Sequence, residues 1–249
     1  MTPPVNTPEE SDSLVQGFQQ YFNIQRANNQ AVLDDVYRIR HGVYCKEFGF
    51  DLPSEHGLEK DEYDRFSSHC LLTHKKTGVN VGCIRVISIP EANPSLELPF
   101  ITHCAESFYP EQLKPETIAV GQICEISRVA VVPEFRRRLG ENKTKDGLAA
   151  VDETSSLTRR FPYITPSLYL AAGALFLATN KQQIFVATEP RLIKSLTRLG
   201  IRFRQVSKLT DYHGQRAVYC FSRQSIQEDI AAMPKPMNAF FHFIKNQVV

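Results

Sequence analysis

The residues of this chain that could do chemistry are charged side chains in three separate regions. The loop Lys46–Asp64 carries seven carboxylates and two lysines. Arg85 interrupts one apolar segment, and Glu125 and Arg128 interrupt another. Because an unpaired buried charge is costly, we expect the arginines to form bidentate pairs with carboxylates of the loop. The three regions are therefore predicted to converge on one polar site, either a reactive centre or a purely structural ion-pair network.

The segment Gln122–Val132 is the strongest prediction of a strand, since it is β-branched and almost continuously apolar. In a regular strand, Glu125 and Ser127 share one face and Arg128 lies on the other. A β-bulge between Glu125 and Arg128 would bring both charges to the same side, and bulges are favoured next to active sites. Such a bulge also offers a backbone N–H that can polarise a substrate carbonyl.

A basic run follows this strand, because Arg136 to Lys145 holds five basic residues and one acid. It is either a solvated loop or a docking patch for an acidic partner. A strand followed by a proline-containing, arginine-rich turn resembles the acyl-donor region of GCN5-related N-acetyltransferase folds. The glycine-rich phosphate turn of the coenzyme A-binding members is absent, since residues 136–140 contain one glycine.

Composition narrows the class of protein. The net charge of +2 gives no general argument for nucleic-acid binding. None of the six cysteines forms a C-x-x-C pair and no histidine has zinc-finger spacing, so no metal is expected. The N-terminal residues lack the basic region and apolar run of a secretory signal, which predicts a cytoplasmic protein with reduced thiols. The longest apolar run, Leu168–Ala178, is too short to span a bilayer.

Hydrophobic periodicity predicts the elements that position these residues. Helices are predicted from about Ser13 and over residues 31–48, 166–180 and 190–199, and strands over 68–74, 81–89, 122–132, 183–188, 202–207 and 216–222. The segment 1–12 is predicted to be disordered, 139–165 to be a mobile insertion and 224–249 to be a helical tail broken by prolines. The order predicts a single α/β (α+β) domain over residues 13–223, with a mixed central sheet flanked by helices.

Ten residues at matching spacing resemble the signature of the acyl-homoserine-lactone (autoinducer) synthase superfamily. They are Arg40, Tyr44, Phe50, Glu59, Asp61, Asp64, Arg85, Glu125, Ser127 and Arg128. The contexts IRHGVYCKEFGF, G-x-I-R and EISRVAVVPEFRR look closest to long-chain N-acyl amino acid synthases and to acyltransferases associated with exosortase (PEP-CTERM) systems. The resemblance covers about residues 30–223 and implies a GCN5-related N-acyltransferase-like fold.

The resemblance implies an enzyme that moves a fatty acyl group from acyl-carrier protein to the amine of an amino acid or a similar small amine. The lactone synthases usually carry Trp where this chain has Phe50, and the chain contains no Trp. Acyl-homoserine-lactone synthesis is therefore an alternative, beside a coenzyme A-dependent acetyltransferase and a non-catalytic module that binds an acylated carrier or a lipid amine. No cofactor is expected beyond the phosphopantetheine thioester of the donor, and no nucleic acid. Any peripheral membrane contact would come through the product.

The same resemblance implies roles for individual residues. The acyl thioester would lie in the splay between the central strand and residues 183–188, with a bulge N–H near Ser127–Val129 stabilising the oxyanion. Glu125 is the first candidate for the base that takes a proton from the acceptor ammonium, and Glu59 is the second. Ser127 and Arg128 complete the predicted catalytic set, and the substrate-binding set is Arg40, Tyr44, Phe50, Asp61, Asp64 and Arg85. Docking of the carrier protein is predicted for Arg136, Arg137, Arg138, Lys143 and Lys145. Residues 168–178 are predicted to line an acyl tunnel or to be ordinary core.

Overall fold

The computed structural model describes residues 9–93, 95–112, 119–136 and 163–249. Residues 1–8 of the segment predicted to be disordered (1–12) and residues 139–162 of the predicted mobile insertion (139–165) lie outside these ranges. The first helix begins at Glu9, four residues before its predicted start at Ser13. The helix predicted over 166–180 begins at Ile164, so residues 164 and 165 belong to it and not to the insertion.

The described residues form eight α-helices and ten strands. The helices are α1 (Glu9–Tyr21), α2 (Gln30–Arg40), α3 (Pro99–Cys104), α4 (Pro133–Arg136), α5 (Ile164–Leu177), α6 (Pro190–Thr197), α7 (Arg223–Ala232) and α8 (Lys235–Val248). The strands are β1 (Phe22–Arg26), β2 (Ser54–Glu55), β3 (Leu58–Glu59), β4 (Ser67–His74), β5 (Asn80–Ile87), β6 (Ile123–Val131), β7 (Gln183–Thr188), β8 (Arg204–Gln205), β9 (Thr210–Asp211) and β10 (Gln215–Ser222). A π-helix, His41–Glu47, continues α2, and a 3₁₀-helix, Glu62–Phe66, precedes β4.

The main sheet has the strand order β1-β4-β5-β6-β7-β10-β8, with β9 paired to the start of β10. All of its described pairs are antiparallel except β6 with β7. That parallel pairing runs from Ile123 opposite Gln183 to Ile126 opposite Val186 and stops there, although β6 continues to Val131. The predicted splay between these strands is confirmed, and it opens a gap in the middle of the sheet.

Helix α5 fills the core on one face of the sheet. Every residue from Ile164 to Phe176 is buried, so the helix has no solvent face, in agreement with its continuously apolar sequence. It packs against β5 and α8, and α8 packs on α1. On the other face, α2 and the π-helix form a smaller apolar cluster with Leu71, Cys83 and Ala130. The strands around the splay are therefore held by packing on both faces.

Strand β1 could not be predicted from the sequence, because its apolar residues continue the spacing of the preceding helix. The helical spacing of Leu14, Phe18, Tyr21, Phe22 and Gln25 predicts that the first helix continues through Gln25, whereas the structure begins β1 at Phe22. Phe22 and Ile24 are buried and alternate with exposed or partly exposed polar residues, so the segment also satisfies the period of a strand. Pairing with β4 decides between the two. The strand predicted over 202–207 is reduced to the two residues of β8.

The helical tail is broken at its prolines, as predicted, because Pro234 caps α8 and Pro236 lies in the first turn of that helix. Buried residues of α8, among them Phe240 and Ile244, join the same hydrophobic cluster as α5. The tail is thus part of the main core. None of the described helices has the length and apolarity needed to cross a membrane.

Candidate functional site

The middle of β6 carries a β-bulge next to the splay. Ile84 of β5 lies opposite two residues of β6, Arg128 and Val129. Arg128 has a φ of 50°, in the left-handed region that side chains other than glycine rarely adopt. The predicted bulge is confirmed, although its extra residue lies at Arg128 and not before it. Both Glu125 and Arg128 consequently line the same cavity.

This cavity has a volume of about 370 Å³ and lies where β6 and β7 separate. Its walls come from β6, from the end of β7, from the loop after the π-helix and from the turn between β9 and β10. Five charged residues line it: Asp51, Asp61, Glu125, Arg128 and Arg216. Five aromatic residues line it as well: Tyr44, Phe50, Tyr63, Tyr169 and Tyr212. The cavity therefore offers a polar centre with large apolar surfaces around it.

Three arginines and three carboxylates form a closed ring of ion pairs beside the cavity. In bonding order the charge ring consists of Arg40, Glu59, Arg128, Asp61, Arg85 and Asp64. Glu59 accepts from Arg40 Nε at 2.5 Å and from Arg128 Nη2 at 3.0 Å. Asp61 accepts from Arg128 Nη2 at 3.0 Å and from Arg85 Nη1 at 2.5 Å. The six formal charges balance, which makes their joint burial possible.

Asp64 closes the charge ring, because it accepts from Arg85 Nη1 at 2.8 Å and from Arg40 Nη1 at 2.7 Å. Asp61 and Asp64 also form the capping box of the 3₁₀-helix. The Asp61 backbone N–H donates to Asp64 at 2.8 Å, and the Asp61 carboxylate accepts from the Tyr63 N–H at 3.0 Å. The acidic loop is thereby locked over the sheet by arginine pairs, as the sequence predicted.

The arginines of the charge ring lower the pKa values of Glu59 and Asp64. Burial raises the pKa of Glu59, but the hydrogen bonds and charges of Arg40 and Arg128 outweigh it and lower the pKa overall. Burial also raises the pKa of Asp64, and the charges of Arg40 and Arg85 again reverse the effect, leaving this pKa well below its usual range. These two carboxylates are fixed negative charges at neutral pH.

Only part of the charge ring reaches the cavity. Asp61 and Arg128 line the wall, whereas Arg40, Glu59, Asp64 and Arg85 do not. Arg40, Glu59 and Arg85 are each 0% exposed. Both oxygens of Glu59 accept from arginines, so the second candidate for the base lies behind the wall with its lone pairs engaged.

Glu125 lies on the cavity wall and outside the charge ring. It is 3% exposed and accepts from the backbone N–H of Phe100 at 3.1 Å. Burial raises the pKa of Glu125 to about 8, against the lowering effects of the Phe100 N–H, Arg85 and Arg128. A carboxyl that titrates near neutral pH in a cavity is suited to exchange protons with a bound amine. Ser127 follows on the same wall, where its Oγ accepts from Arg85 Nε at 2.9 Å.

The two aromatic residues of the predicted signature stand together on the wall. Tyr44 donates its hydroxyl to the backbone oxygen of Val129 at 2.6 Å, so it ties the π-helix to the bulge. Its ring stacks with that of Phe50, with 6.3 Å between centroids. Phe50 also contacts His213, with 4.4 Å between centroids. The predicted substrate-binding positions Tyr44 and Phe50 therefore both face the cavity.

The turn between β9 and β10 contributes residues that no sequence motif assigned to the site. Tyr212, His213 and Arg216 line the cavity. His213 is exposed in the turn, yet its ring packs on that of Phe50. The sequence Asp-Tyr-His-Gly predicts a hairpin but not its neighbours. Only the pairing of β10 with β7 shows that the hairpin borders the splay.

Arg136 differs from its predicted role in carrier-protein docking. Its side chain is 4% exposed and pairs with Glu47, and its guanidinium lies 5.3 Å from the centroid of the Phe48 ring. A buried and paired arginine does not present its charge to an acidic protein. The other four docking residues lie outside the described residues: Arg137, Arg138, Lys143 and Lys145.

A small apolar crevice of about 20 Å³ adjoins the main cavity and shares Ile126 and Tyr169 with it. Leu170 and Gly173 of α5 form part of its lining. Together with Tyr169, these are the α5 residues that line the cavity or the crevice. A predicted acyl tunnel along residues 168–178 would run here.

Sequence comparison places the site within a known domain type. Residues 39–144 match the family model described as an acetyltransferase (GNAT) domain, and this range includes all ten signature residues. An acyl-homoserine-lactone synthase of Aeromonas hydrophila is 28% identical over 115 residues, which make up 44% of this chain and 48% of that relative. The match thus spans about half the length of the curated relative.

Two solved structures share the architecture over most of their length. FeeM, an N-acyl amino acid synthase from uncultured soil microbes, has a TM-score of 0.55 at 14% identity, covering 85% of this chain and 94% of FeeM. BjaI, a CoA-dependent acyl-homoserine lactone synthase solved with SAM and isopentyl-CoA, has a TM-score of 0.54 at 17% identity, covering 89% and 99%.

At these identities the two structures demonstrate the fold, and the predicted architecture is confirmed. None of the three relatives named is an exosortase-associated acyltransferase, so that part of the resemblance stays a prediction. The chain thus has a GNAT-like fold, and the three relatives named above are two acyl-homoserine-lactone synthases and one N-acyl amino acid synthase.

Proposed function

We propose that this chain is an N-acyltransferase that moves a fatty acyl group from a phosphopantetheine thioester to the amine of an amino acid or a similar small amine. The observation that carries the proposal is the position of Glu125. A carboxyl with a raised pKa lines a cavity at the splay of two strands, beside a bulge that alters the backbone. The likeness to two kinds of acyl-transferring synthase supports the reaction class.

In the proposed reaction, the thioester enters the gap between β6 and β7 and turns its carbonyl oxygen towards the backbone N–H groups of Ser127–Val129. Ionised Glu125 accepts one proton from the acceptor ammonium. The neutral amine attacks the carbonyl carbon and forms the C–N bond. The C–S bond then breaks, and the departing thiolate takes the second proton of the amine. The products are an N-acyl amine and the free thiol of the donor arm.

The charge ring serves this reaction by fixing the wall. Arg128 is bonded to both Glu59 and Asp61, and Asp61 is bonded to Arg85 as well. Neither Arg128 nor Asp61 has to reorganise when substrate arrives, which is the condition for preorganised electrostatic stabilisation. Glu59, Arg40, Asp64 and Arg85 are positioning residues in this scheme.

Acyl-carrier protein is the proposed donor, because the glycine-rich phosphate turn expected of a coenzyme A-binding member is absent from residues 136–140. Coenzyme A is the competing carrier, since the neighbour BjaI is described as CoA-dependent. Presenting the same acyl chain on both carriers decides between them. Turnover with acyl-coenzyme A alone would overturn the donor assignment.

Acyl-homoserine-lactone synthesis is the second candidate, and the Aeromonas hydrophila relative favours it. Phe50 argues for the first candidate, since the lactone synthases that the signature resembles usually carry Trp at this position. Mass spectrometry of lipid extracts from cells that express the chain separates the two. N-acyl amino acids would support the first candidate, and acyl-homoserine lactones would replace it with the second.

The decisive test compares Glu125→Gln with Glu228→Gln in a purified acyl-transfer assay. Loss of a general base should reduce turnover at least ~100-fold in Glu125→Gln. Glu228 is exposed on α7 and lines neither the cavity nor the crevice, so its variant should keep full activity. A folded wild-type chain that acylates no amine from either carrier would instead favour the non-catalytic binding module.

A further inference from the structure

Arg216 occupies the wall of the cavity opposite the bulge. It lies on β10 next to Ala217, which pairs with Thr188 at the end of β7. Its Nη1 reaches the backbone oxygen of Ala187 at 3.4 Å. The contact is with β7, the strand that lies between β10 and β6. Arg216 also lines the same cavity as Glu125 and Arg128, at the splay where the acceptor would bind in the proposed reaction.

The hydrogen-bonding capacity of Arg216 is largely unused within the described part of the chain. Its Nε is buried and has no hydrogen-bond partner there, and the contact with Ala187 is long for a hydrogen bond. Arg128, the other arginine of the wall, is committed to Glu59 and Asp61. Among the described residues, no carboxylate forms an ion pair with Arg216. An arginine on a cavity wall without a paired carboxylate favours an anionic ligand there, since the planar guanidinium can donate two parallel hydrogen bonds to a carboxylate.

The surroundings of Arg216 hold its guanidinium in place. It lies 5.8 Å from the centroid of the Tyr212 ring, a cation–π contact that limits its rotation. Burial raises the pKa of the Tyr212 hydroxyl and of the Cys104 thiol. The charge of Glu125 raises both pKa values further, and the charge of Arg216 lowers both. The two charged groups thus border the same compact space, one suited to a carboxylate and the other to an amine.

We propose that Arg216 is the anchor for the carboxylate of the acceptor, so that the protein selects amines that carry a carboxylate over amines that lack one. This rests on the proposed acyl-transfer function and specifies its acceptor class. An α-amino acid carries its ammonium and carboxylate on one carbon. With the carboxylate on Arg216 across β7, its amine points back to β6, where Glu125 and the bulge lie.

The first arm of the test measures binding and needs no turnover. Isothermal titration calorimetry compares N-dodecanoylglycine with N-methyldodecanamide, which lacks the carboxylate, on the full chain. Wild type should bind the carboxylate ligand about 10- to 100-fold more tightly, the range of a charge-assisted pair. Arg216→Gln should remove this preference without weakening the uncharged ligand, and Arg216→Lys should retain part of it. Arg198→Gln, an exposed arginine outside the cavity, is the matched control.

The second arm measures acyl transfer to amino acids and to their decarboxylated amines. Arg216→Gln should raise KM for the amino acids about 10-fold or more and leave kcat and the amines unaffected. Equal wild-type affinity for the two lipids, binding of neither, or an equal loss of both ligands in a folded Arg216→Gln would overturn the assignment. If carboxylate-selective binding is found but no acyl transfer occurs, the proposed function fails while the Arg216 site stands.

Discussion

At the scale of single residues, Glu59 and Glu125 show that burial alone does not decide ionisation. Both are nearly inaccessible, at 0% and 3% exposure. Glu59 is bonded to two arginines, which lower its pKa against the effect of burial. Glu125 accepts from a backbone N–H, and burial raises its pKa to about 8. One residue type therefore provides a fixed charge in the charge ring and a titrating group on the cavity wall.

The ionisation of Glu125 predicts the pH dependence of the rate. Because the proposed base must be ionised, kcat/KM should rise with pH through about 8 and then level off. The measurement is a series of initial rates with one donor and one acceptor between about pH 6 and pH 10. The residual kcat/KM of Glu125→Gln should not show this rise with pH. A wild-type profile that stays flat through this range would contradict the role of Glu125 as base.

Glu125 also predicts how stability changes with pH. The folded state binds its proton more tightly than the unfolded state, where the pKa is 4.5, and the folded pKa is about 8. The stabilising contribution is therefore fully present below pH 4.5 and is lost as pH rises through about 8. Urea unfolding should show wild type losing several kcal/mol between pH 5 and pH 9, an order of magnitude set by this linkage. Glu125→Gln should lose much less, and equal losses in both proteins would exclude the mechanism.

At the scale of elements, the charge ring joins α2, β3, the 3₁₀-helix, β5 and β6. Arg40→Ala would leave Glu59 and Asp64 with one arginine each in a buried setting. We expect a loss of about 3–5 kcal/mol in the free energy of unfolding, the usual effect of breaking a buried ion pair. Denaturant unfolding measures it.

Arg38→Ala is the control for Arg40→Ala, because Arg38 lies on the same helix but forms an exposed pair with Asp35. Its loss should stay below about 1 kcal/mol. In Arg40→Ala/Glu59→Gln, removal of the excess negative charge should recover part of the stability. Equal effects of the two single arginine variants would mean that the charge ring does not stabilise the fold.

At the scale of the whole molecule, the C-terminal helix completes the core on the α5 face. Phe240 of α8 is 0% exposed and contacts Phe18 of α1 edge-on, with 5.1 Å between ring centroids. Phe240→Ala should lower the free energy of unfolding by about 3–5 kcal/mol through lost burial and cavity formation. Asn246→Ala, exposed on the same helix, should change it by less than about 0.5 kcal/mol. Thermal melting of both variants tests whether the tail is integral to the fold.

Local sequence determined the elements whose periodicity had a single interpretation. The apolar run of α5, the β-branched run of β6 and the strands β4 and β5 are set by neighbouring residues, and each was predicted within a few positions. The sequence was also sufficient to predict that the arginines inside the apolar strands pair with carboxylates of the acidic loop. Burial makes unpaired charges costly, and that loop held most of the nearby carboxylates.

Tertiary structure alone decided the features that depend on distant strands. The segment of β1 satisfies two periods, and only its pairing with β4 selects the strand. Sequence ranked Glu125 above Glu59 as base, but it could not show that Glu59 lies behind the cavity wall with both oxygens bonded to arginines. Arg216 carries no local signal, because its importance comes from β10 lying beside β7 at the splay. Spacing along the chain reports which residues share an element, whereas strand order decides which elements share a cavity.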